Sequence, residues 1–318
     1  MMNLYRITLE AKSAFATPLV GDTLFGQLCW GIVNRYGEDC LQSLLKGYAE
    51  KNPFMVVSDA FPSGYLPLPT LPSKLWATQG NEDRKALKKK RWIALTHLTQ
   101  PLSSWQQLAL NDREVVLNVL GSDTPYQVTV EQMHNTVNRA TNKAGQDAFA
   151  ASYVVEQICY PTGLKQDLYV LLDETRFSRS DFEQVLKDIG QTGYGKDASI
   201  GMGKFDFTIE SFSFDSIPHA NAWLTLSNSA PQTDDCDVLH SYYQIVTRFG
   251  RHGQDLALTG KTFKKPIILV KTAALLTPKS YSQRSFIGQG LTSVSWEHRE
   301  TVHQGYAPVL PVCLTIHS

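Results

Sequence analysis

The sequence predicts an α+β fold, and three observations carry that reading. Residues 4–10 alternate, with Tyr5, Ile7 and Leu9 on one face and Arg6, Thr8 and Glu10 on the other, the period of a half-buried strand. Apolar residues then recur at helical spacing in two separate stretches, near 22–36 and 180–190. Strand-like runs stand around each stretch, so the first two-thirds reads β-α-β … β-α-β with long insertions, the ferredoxin-like (RRM-like) pattern.

In chain order, the first strand ends in a turn at Thr17–Gly21, and Asp22 is the expected N-cap of a helix. Phe25, Leu28, Cys29, Ile32, Val33 and Tyr36 form its apolar face, and Gly37 closes it. Pro53, Pro62, Pro67, Pro69 and Pro72 then enforce an extended path. The basic run Arg84–Arg91 reads as a solvated helix face or loop, with phosphate contact the sharper alternative. Residues 134–139 read as a helical turn or an extended arm, and 141–146 look like a hairpin tip, which favours the arm. Leu168–Leu172 is a strand, and Ser180 with Glu183 is a capping box for a helix stopping at Gly190.

Next comes Gly193–Lys204, with four glycines, two lysines and a serine just before the alternating Phe205, Phe207 and Ile209. Glycine permits positive φ and close approach of a ligand to the main chain, and successive N–H groups in such turns bind anions. The loop is not a phosphate-binding loop of the Walker type, because Lys204 is followed by Phe205 and position 198 is Ala. A dinucleotide fingerprint fails too, since a strand rather than a helix follows. A glycine-rich hairpin without a ligand remains the structural alternative. A phase slip at Ser211–Phe212 ends the strand.

The last third echoes the first more weakly. Residues 240–249 are apolar-rich, 266–276 and 308–316 are strand-like, and Arg284–Gly290 is read as a second Gly-x-Gly loop. The expected organisation is one ferredoxin-like domain over 1–215, with insertions at about 60–150, and a second over 216–318.

With 318 residues the chain is long enough for a sizeable core. Its 30 basic and 30 acidic residues cancel, which argues against a nucleic-acid binder that is basic all over. The charges are segregated, however: 256–296 carries Lys261, Lys264, Lys265, Lys271, Lys279 and Arg284 with no acid. That suggests one basic face and an acidic face for a protein partner. The five cysteines lack metal or disulfide spacing and read as reduced thiols. No run is apolar enough to span a membrane and no signal pattern opens the chain, so the expected location is cytoplasmic.

Several blocks resemble a known family. Thr17–Gly26, Pro53–Pro62 with Leu66–Pro69, His134–Arg139, Gly195–Phe205 and His303–Pro311 are similar, in order, to the signatures of the Csm-type RAMP subunit of type III-A CRISPR effector complexes. That subunit holds the 5′ tag of the guide RNA (crRNA). Ala198 and Thr292–Ser293 depart from the pattern, where more glycine is expected. The resemblance implies two ferredoxin-like domains facing across a cleft, and RNA binding without cleavage. It also implies three neighbours: the guide–target duplex, the large polymerase-like signalling subunit and the first backbone RAMP subunit. The family's arm, which presses into the duplex and splays a base, falls on residues 136–146.

The expected RNA contacts follow from phosphate binding, stacking and base-edge recognition. They are Gly193, Gly195, Lys196, Ser199, Gly201, Gly203 and Lys204 in the loop, and His134, Asn138, Arg139 and Lys143 in the arm. Arg284, Gly288 and Gly290 join them from the second glycine motif, and Gln304 and Tyr306 as partners of a tag base. No cofactor, metal or catalytic residue is expected. The alternative is a metal-independent endoribonuclease processing guide precursors, for which His134 and His303 are the candidates. Asp234, Asp235 and Asp237 sit in a polar loop and read as a turn rather than a metal site.

Overall fold

The computed structural model describes residues 2–77, 83–135, 152–232, 236–253, 263–296 and 298–315, and the backbone of 137–138 and 143–144. Strand β1 (Asn3–Ala11) and helix α1 (Gly21–Tyr36) open the chain, and Gly37 ends α1 at φ 87°, as expected. Helix α2 (Glu38–Leu45) leads to β2 (Met55–Val57), β3 (Phe61–Pro62) and β4 (Tyr65–Pro67). The insertion contributes α3 (Arg84–Leu87), β5 (Trp92–Ala94), α4 (Trp105–Leu108) and α5 (Asp112–Leu120). The basic run thus begins as a short exposed helix. A ribbon follows, made of β6 (Val128–Asn135), β7 (Val137–Asn138), β8 (Lys143–Ala144) and β9 (Ser152–Cys159). Strand β10 (Lys165–Leu172), helix α6 (Arg179–Thr192) and β11 (Phe205–Ser211) complete the first half.

The first sheet has the order β11-β1-β10-β2, with β3 also pairing β10, and every pair is antiparallel. The chain path is β-α-β-β-α-β with the last strand beside the first, the pattern read for this half. Helix α1 buries Leu24, Phe25, Leu28 and Ile32, and α6 buries Phe182, Val185, Leu186 and Ile189. Full burial of each such side chain is worth about 1.5–3 kcal/mol. The helices cross closely at Gly31, where a Cβ would meet Val185 Cγ1 at 2.6 Å.

Two helix boundaries differ from the sequence reading. The N-cap of α6 is Ser178, whose Oγ accepts from the Asp181 N–H at 3.1 Å, two residues before the expected capping box. Gly190 lies inside the helix, because a Cβ there would meet the Phe205 carbonyl at 2.5 Å; Gly193 is the C-cap. Asp22 is not a cap either. It sits in the first turn of α1, and Asp59 caps that helix from a distance by accepting the Gly21 N–H at 2.8 Å.

The second half consists of β12 (Ala222–Thr225), β13 (Ile245–Arg248), β14 (Ile267–Val270), β15 (Leu275–Leu276), β16 (Phe286–Leu291) and β17 (His303–Val312). Its main sheet runs β15-β12-β17-β16, and β13 and β14 form a separate ribbon. Among the described residues after 215 there is no α-helix, so the expected second β-α-β-β-α-β path does not appear in this half. The β-branched Ile245, Val246 and Thr247 favour a strand instead. The 266–276 run divides into β14 and β15 around Ala273, which takes φ 68°. No described helix is long and apolar enough to cross a membrane.

The halves share a core. One buried cluster brings Phe61 and Tyr169 together with Leu224 and Leu310 and with Trp92 and Trp105 of the insertion. Strand β2 is the seam: its Val57 exchanges two hydrogen bonds of 2.8 Å with the Gln304 carboxamide of β17. Two residues on, the Asp59 N–H donates to the Leu226 carbonyl at 2.8 Å.

Candidate functional site

The glycine-rich loop joins α6 to β11, and its neck is closed by its own glycines. The Tyr194 N–H donates to the Gly203 carbonyl at 3.0 Å. A Cβ on Gly203 would meet the Tyr194 carbonyl at 2.2 Å, and one on Gly193 would meet the Met202 carbonyl at 2.2 Å. Both residues have positive φ, so only glycine fits without strain. Their N–H groups are already engaged, Gly193 with Ile189 and Gly203 with Ala14. What these two glycines give is the shape of the loop.

Beyond the neck the chain turns through Asp197 (φ 63°), a 3-10 turn (Ala198–Ile200) and Gly201 (φ 97°). The N–H groups of Asp197, Ala198 and Ser199 donate to no group among the described residues, and Ser199 is exposed. Lys196 and Lys204 project into solvent on either side, with Lys196 Nζ 3.6 Å from Asp197. The tip therefore offers main-chain donors, a hydroxyl and two ammonium groups, a set suited to an anion.

Residues 13–17 hold this loop in place. The Lys204 N–H donates to Ser13 Oγ at 2.9 Å, the Gly203 N–H to the Ala14 carbonyl at 2.8 Å and the Lys196 N–H to Thr17 Oγ1 at 2.8 Å. Gly195 is required where Thr17 approaches, since a Cβ would lie 2.6 Å from its side chain. The same short segment roots the ribbon. Phe15 and Ile158 exchange N–H···O bonds of 2.9 and 2.7 Å, and Phe15 packs against Tyr194 and Tyr160. Loop and ribbon thus rise from one foundation, a convergence that their sequence separation hides.

In the ribbon, β6 and β9 pair over eight residues, from Val128↔Cys159 to Asn135↔Ser152. Val130, Met133, Tyr153 and Val154 are exposed on it, so it stands away from the core as an arm. His134 is half-buried and stacks on Tyr153, with ring centroids 5.6 Å apart. Asn138 and Lys143 face each other in the β7–β8 register, while Arg139 lies outside the described residues.

The C-terminal candidates lie elsewhere. Arg284–Gly290 is not a loop: from Phe286 it is strand β16. Gly288 and Gly290 are there for close packing, a Cβ meeting the Gly305 carbonyl at 2.1 Å or Tyr48 Cδ1 at 2.5 Å. Gln304 and Tyr306 are fully buried. Gln304 holds Val57, and the Tyr306 hydroxyl donates to the Tyr48 carbonyl, so neither side chain reaches a surface where a tag base could sit. Glycine pairs and a Gln-x-Tyr motif read alike in sequence whether they face a ligand or another strand. Arg284 alone of this group is exposed.

A buried polar cluster was missed. The Asp22 carboxylate is wholly buried and held by Arg248, with Thr23 Oγ1 accepting from Arg248 Nη2 at 2.9 Å. His303 Nε2 lies 3.4 Å from Asp22 Oδ2. Burial pushes the Asp22 pKa up, but His303 and Arg248 outweigh it and bring it down to about 2. Burial of neighbouring Asp59 pushes its pKa up to about 7, despite hydrogen bonds from Gly21 and Thr272. His134 and His303 belong to different elements, the arm and this cluster. No group of three or more His, Cys, Asp or Glu placed to hold a metal occurs among the described residues, and Asp234 and Asp235 fall outside them.

Together these features define an α+β chain whose described residues form two main antiparallel sheets and smaller two-stranded ribbons, with a glycine-rich loop and a ribbon arm anchored at one segment. Solved structures share that fold along nearly the whole chain. A chain of the Csm3-Csm4 subcomplex in the type III-A CRISPR-Cas interference complex matches with a TM-score of 0.59 at 14% identity, covering 98% of this chain and 99% of that one. A chain of the Csm1-Csm4 cassette in complex with pppApA matches at 0.57 and 16%, covering 98% and 99%. One from the cassette in complex with cA3 matches at 0.56 and 17%, covering 99% and 100%. No family profile and no curated protein matches the sequence.

Proposed function

We propose that this chain is a Csm4-type RAMP subunit of a type III-A CRISPR ribonucleoprotein, an RNA-binding and non-catalytic component of antiviral defence. The observation that carries the reading is the fold likeness, end to end in both directions, to chains solved with Csm1 and with Csm3. The ordered sequence blocks and the common root of loop and arm support it.

In this reading the loop tip grips phosphates at the 5′ tag of the guide RNA. Lys196, Lys204, the Ser199 hydroxyl and the main-chain N–H groups of Asp197, Ala198 and Ser199 provide the donors. The arm, with His134, Asn138, Arg139 and Lys143, lies against the guide–target duplex. The large polymerase-like subunit and the first backbone subunit dock on the remaining surface, and the complex works in the cytoplasm. The two halves serve as paired domains, the second being a helix-poor counterpart of the first.

The test is binding of a guide RNA with its tag, measured across a range of salt. Lys196→Glu with Lys204→Glu should weaken binding and flatten the salt slope by about 1.4, roughly 0.7 per lost phosphate contact. Unchanged affinity and slope would remove the loop from the interface. Cleavage of guide precursors by the pure protein would overturn the non-catalytic reading.

A further inference from the structure

The basic run at 84–91 holds six of the chain's 30 basic residues in eight positions, and neither loop nor arm uses it. Two of the six are anchors: Lys90 Nζ donates to the Gln107 carbonyl at 2.6 Å, and Arg91 pairs with Asp112 at 3.1 Å while lying over the Trp92 ring. The other four, Arg84, Lys85, Lys88 and Lys89, are exposed, and their side chains meet no acceptor among the described residues. Helix α3 and the turn that continues it set Arg84 beside Lys88 and Lys85 beside Lys89, each pair one turn apart. Like charges at that spacing repel and destabilise the helix. Neighbouring acids do not cancel them. Asp83 caps the helix by accepting the Lys85 N–H at 2.8 Å, Asp112 is engaged by Arg91 and the Trp92 indole, and Glu82 lies outside the described residues. With Glu82 and Asp83 counted in full against the six cations, residues 82–91 still carry a net charge of +4.

The run is fixed to the base of the arm. Trp92, the residue after Arg91, is buried, and its ring lies 5.9 Å from that of Tyr126, just before β6. Tyr126 is 6.0 Å from Tyr160 at the end of β9, Tyr160 is 6.0 Å from Phe15, and Phe15 is 6.2 Å from Tyr194 in the neck of the glycine loop. This line of rings puts Trp92 at most about 24 Å from Tyr194, with the base of the arm on the path. A nucleic-acid strand carries one phosphate per about 3.4 Å, so about seven nucleotides span that distance.

The make-up of the surface says what it takes. From 84 to 89 the exposed residues are the four cations and Ala86. A protein interface needs a buried apolar centre and a membrane-surface helix needs an apolar face, and this surface has neither. Lysines that project as separate point charges suit a run of phosphates, held without regard to sequence. We propose that residues 84–89 receive the phosphodiester backbone of the RNA held at the glycine loop, where that strand continues past the base of the arm. The proposal rests on the RNA-binding function given above and extends the path of the RNA beyond the loop.

The experiment is binding of the full-length protein to RNAs of about five and about twenty nucleotides that share one 5′ tag sequence, measured across a range of salt. Lys85→Glu with Lys88→Glu and Lys89→Glu should weaken binding of the longer RNA about tenfold or more and flatten its salt slope by about 2, roughly 0.7 per lost phosphate contact. The short RNA, held at the loop, should lose far less. A control with the same change of net charge at exposed positions, Lys46→Glu with Lys187→Glu and Lys279→Glu, should leave the slope for the longer RNA near its wild-type value. Equal losses in the two triple variants, or an unchanged slope in the first, would overturn the proposal. If Lys196→Glu with Lys204→Glu still weakens both RNAs in that case, the RNA-binding function stands and only the extended path fails. No binding of either RNA by the wild-type protein would overturn both. A polyglutamate peptide or phosphatidylglycerol vesicles that bind the wild type more tightly than the longer RNA, and lose that binding in the first variant, would give the surface to an acidic protein or a membrane and overturn the proposal.

Discussion

Arg248 of the β13 ribbon grips Asp22 of helix α1 across the two halves of the chain, with Nε–Oδ2 at 2.7 Å and Nη2–Oδ1 at 2.8 Å. The acid's side chain is fully buried and the arginine side chain is 31% exposed. Removing the cation leaves a buried carboxylate with the Thr23 hydroxyl and His303 beside it. Arg248→Leu should therefore destabilise the protein by about 2–4 kcal/mol, the lower end reflecting water around the arginine. Adding Asp22→Asn to that variant should recover part of the loss. Denaturant unfolding of the three proteins measures this, and an additive double variant would show that the pair is not coupled.

The two carboxylates of this cluster give opposite pH dependences. The folded-state pKa of Asp22 is lowered from 3.8 to about 2, so its contribution is complete above 3.8 and lost as pH falls through about 2. The folded-state pKa of Asp59 is raised from 3.8 to about 7, so its contribution is complete below 3.8 and lost as pH rises through about 7. Stability should thus decline between pH 3.8 and about 7 by up to about 4 kcal/mol from this group. Asp59→Asn should flatten the decline. A wild-type profile that rises over that window would contradict the assignment.

The loop glycines are not equivalent. Gly203→Ala places a Cβ against the Tyr194 main chain at φ 71° and should cost about 2–4 kcal/mol. Gly201→Ala meets nothing within 4 Å and bears only the left-handed backbone penalty, about 1–2 kcal/mol. Thermal melts of the two variants decide it, and equal losses would mean the neck tolerates a side chain.

The first half was legible because its elements carry strong periods. β1 alternates, α1 and α6 keep apolar residues at helical spacing, and Gly37 ends its helix where expected. The second half was less so. β16 contains Gly288 and Gly290, which read as loop residues until Tyr48 and Gly305 are seen pressing against them. Asp22 reads as a cap because capping is local, whereas its partner Arg248 lies 226 positions away. Gln304 and Tyr306 looked available for a base because polar groups usually stay wet, and long-range pairing alone reveals what they bind.

Gln304→Ala removes both partners of the Val57 peptide and leaves a buried N–H and C=O unpaired. A loss of about 2–4 kcal/mol is expected. RNA affinity, measured well below the unfolding temperature, should not change. Weakened RNA binding at unchanged stability would return Gln304 to the list of ligand contacts.

The same carboxamide has a consequence for recognition. By offering one donor and one acceptor to Val57, Gln304 acts as a single peptide unit of an extra strand along the open edge of β2. An edge closed in this way gives no template to a stray strand, and it locks the angle between the sheets before any partner arrives. A partner that touched both halves would meet surfaces already held at a fixed angle. The entropy of ordering those surfaces is lost during folding, so association need not supply it.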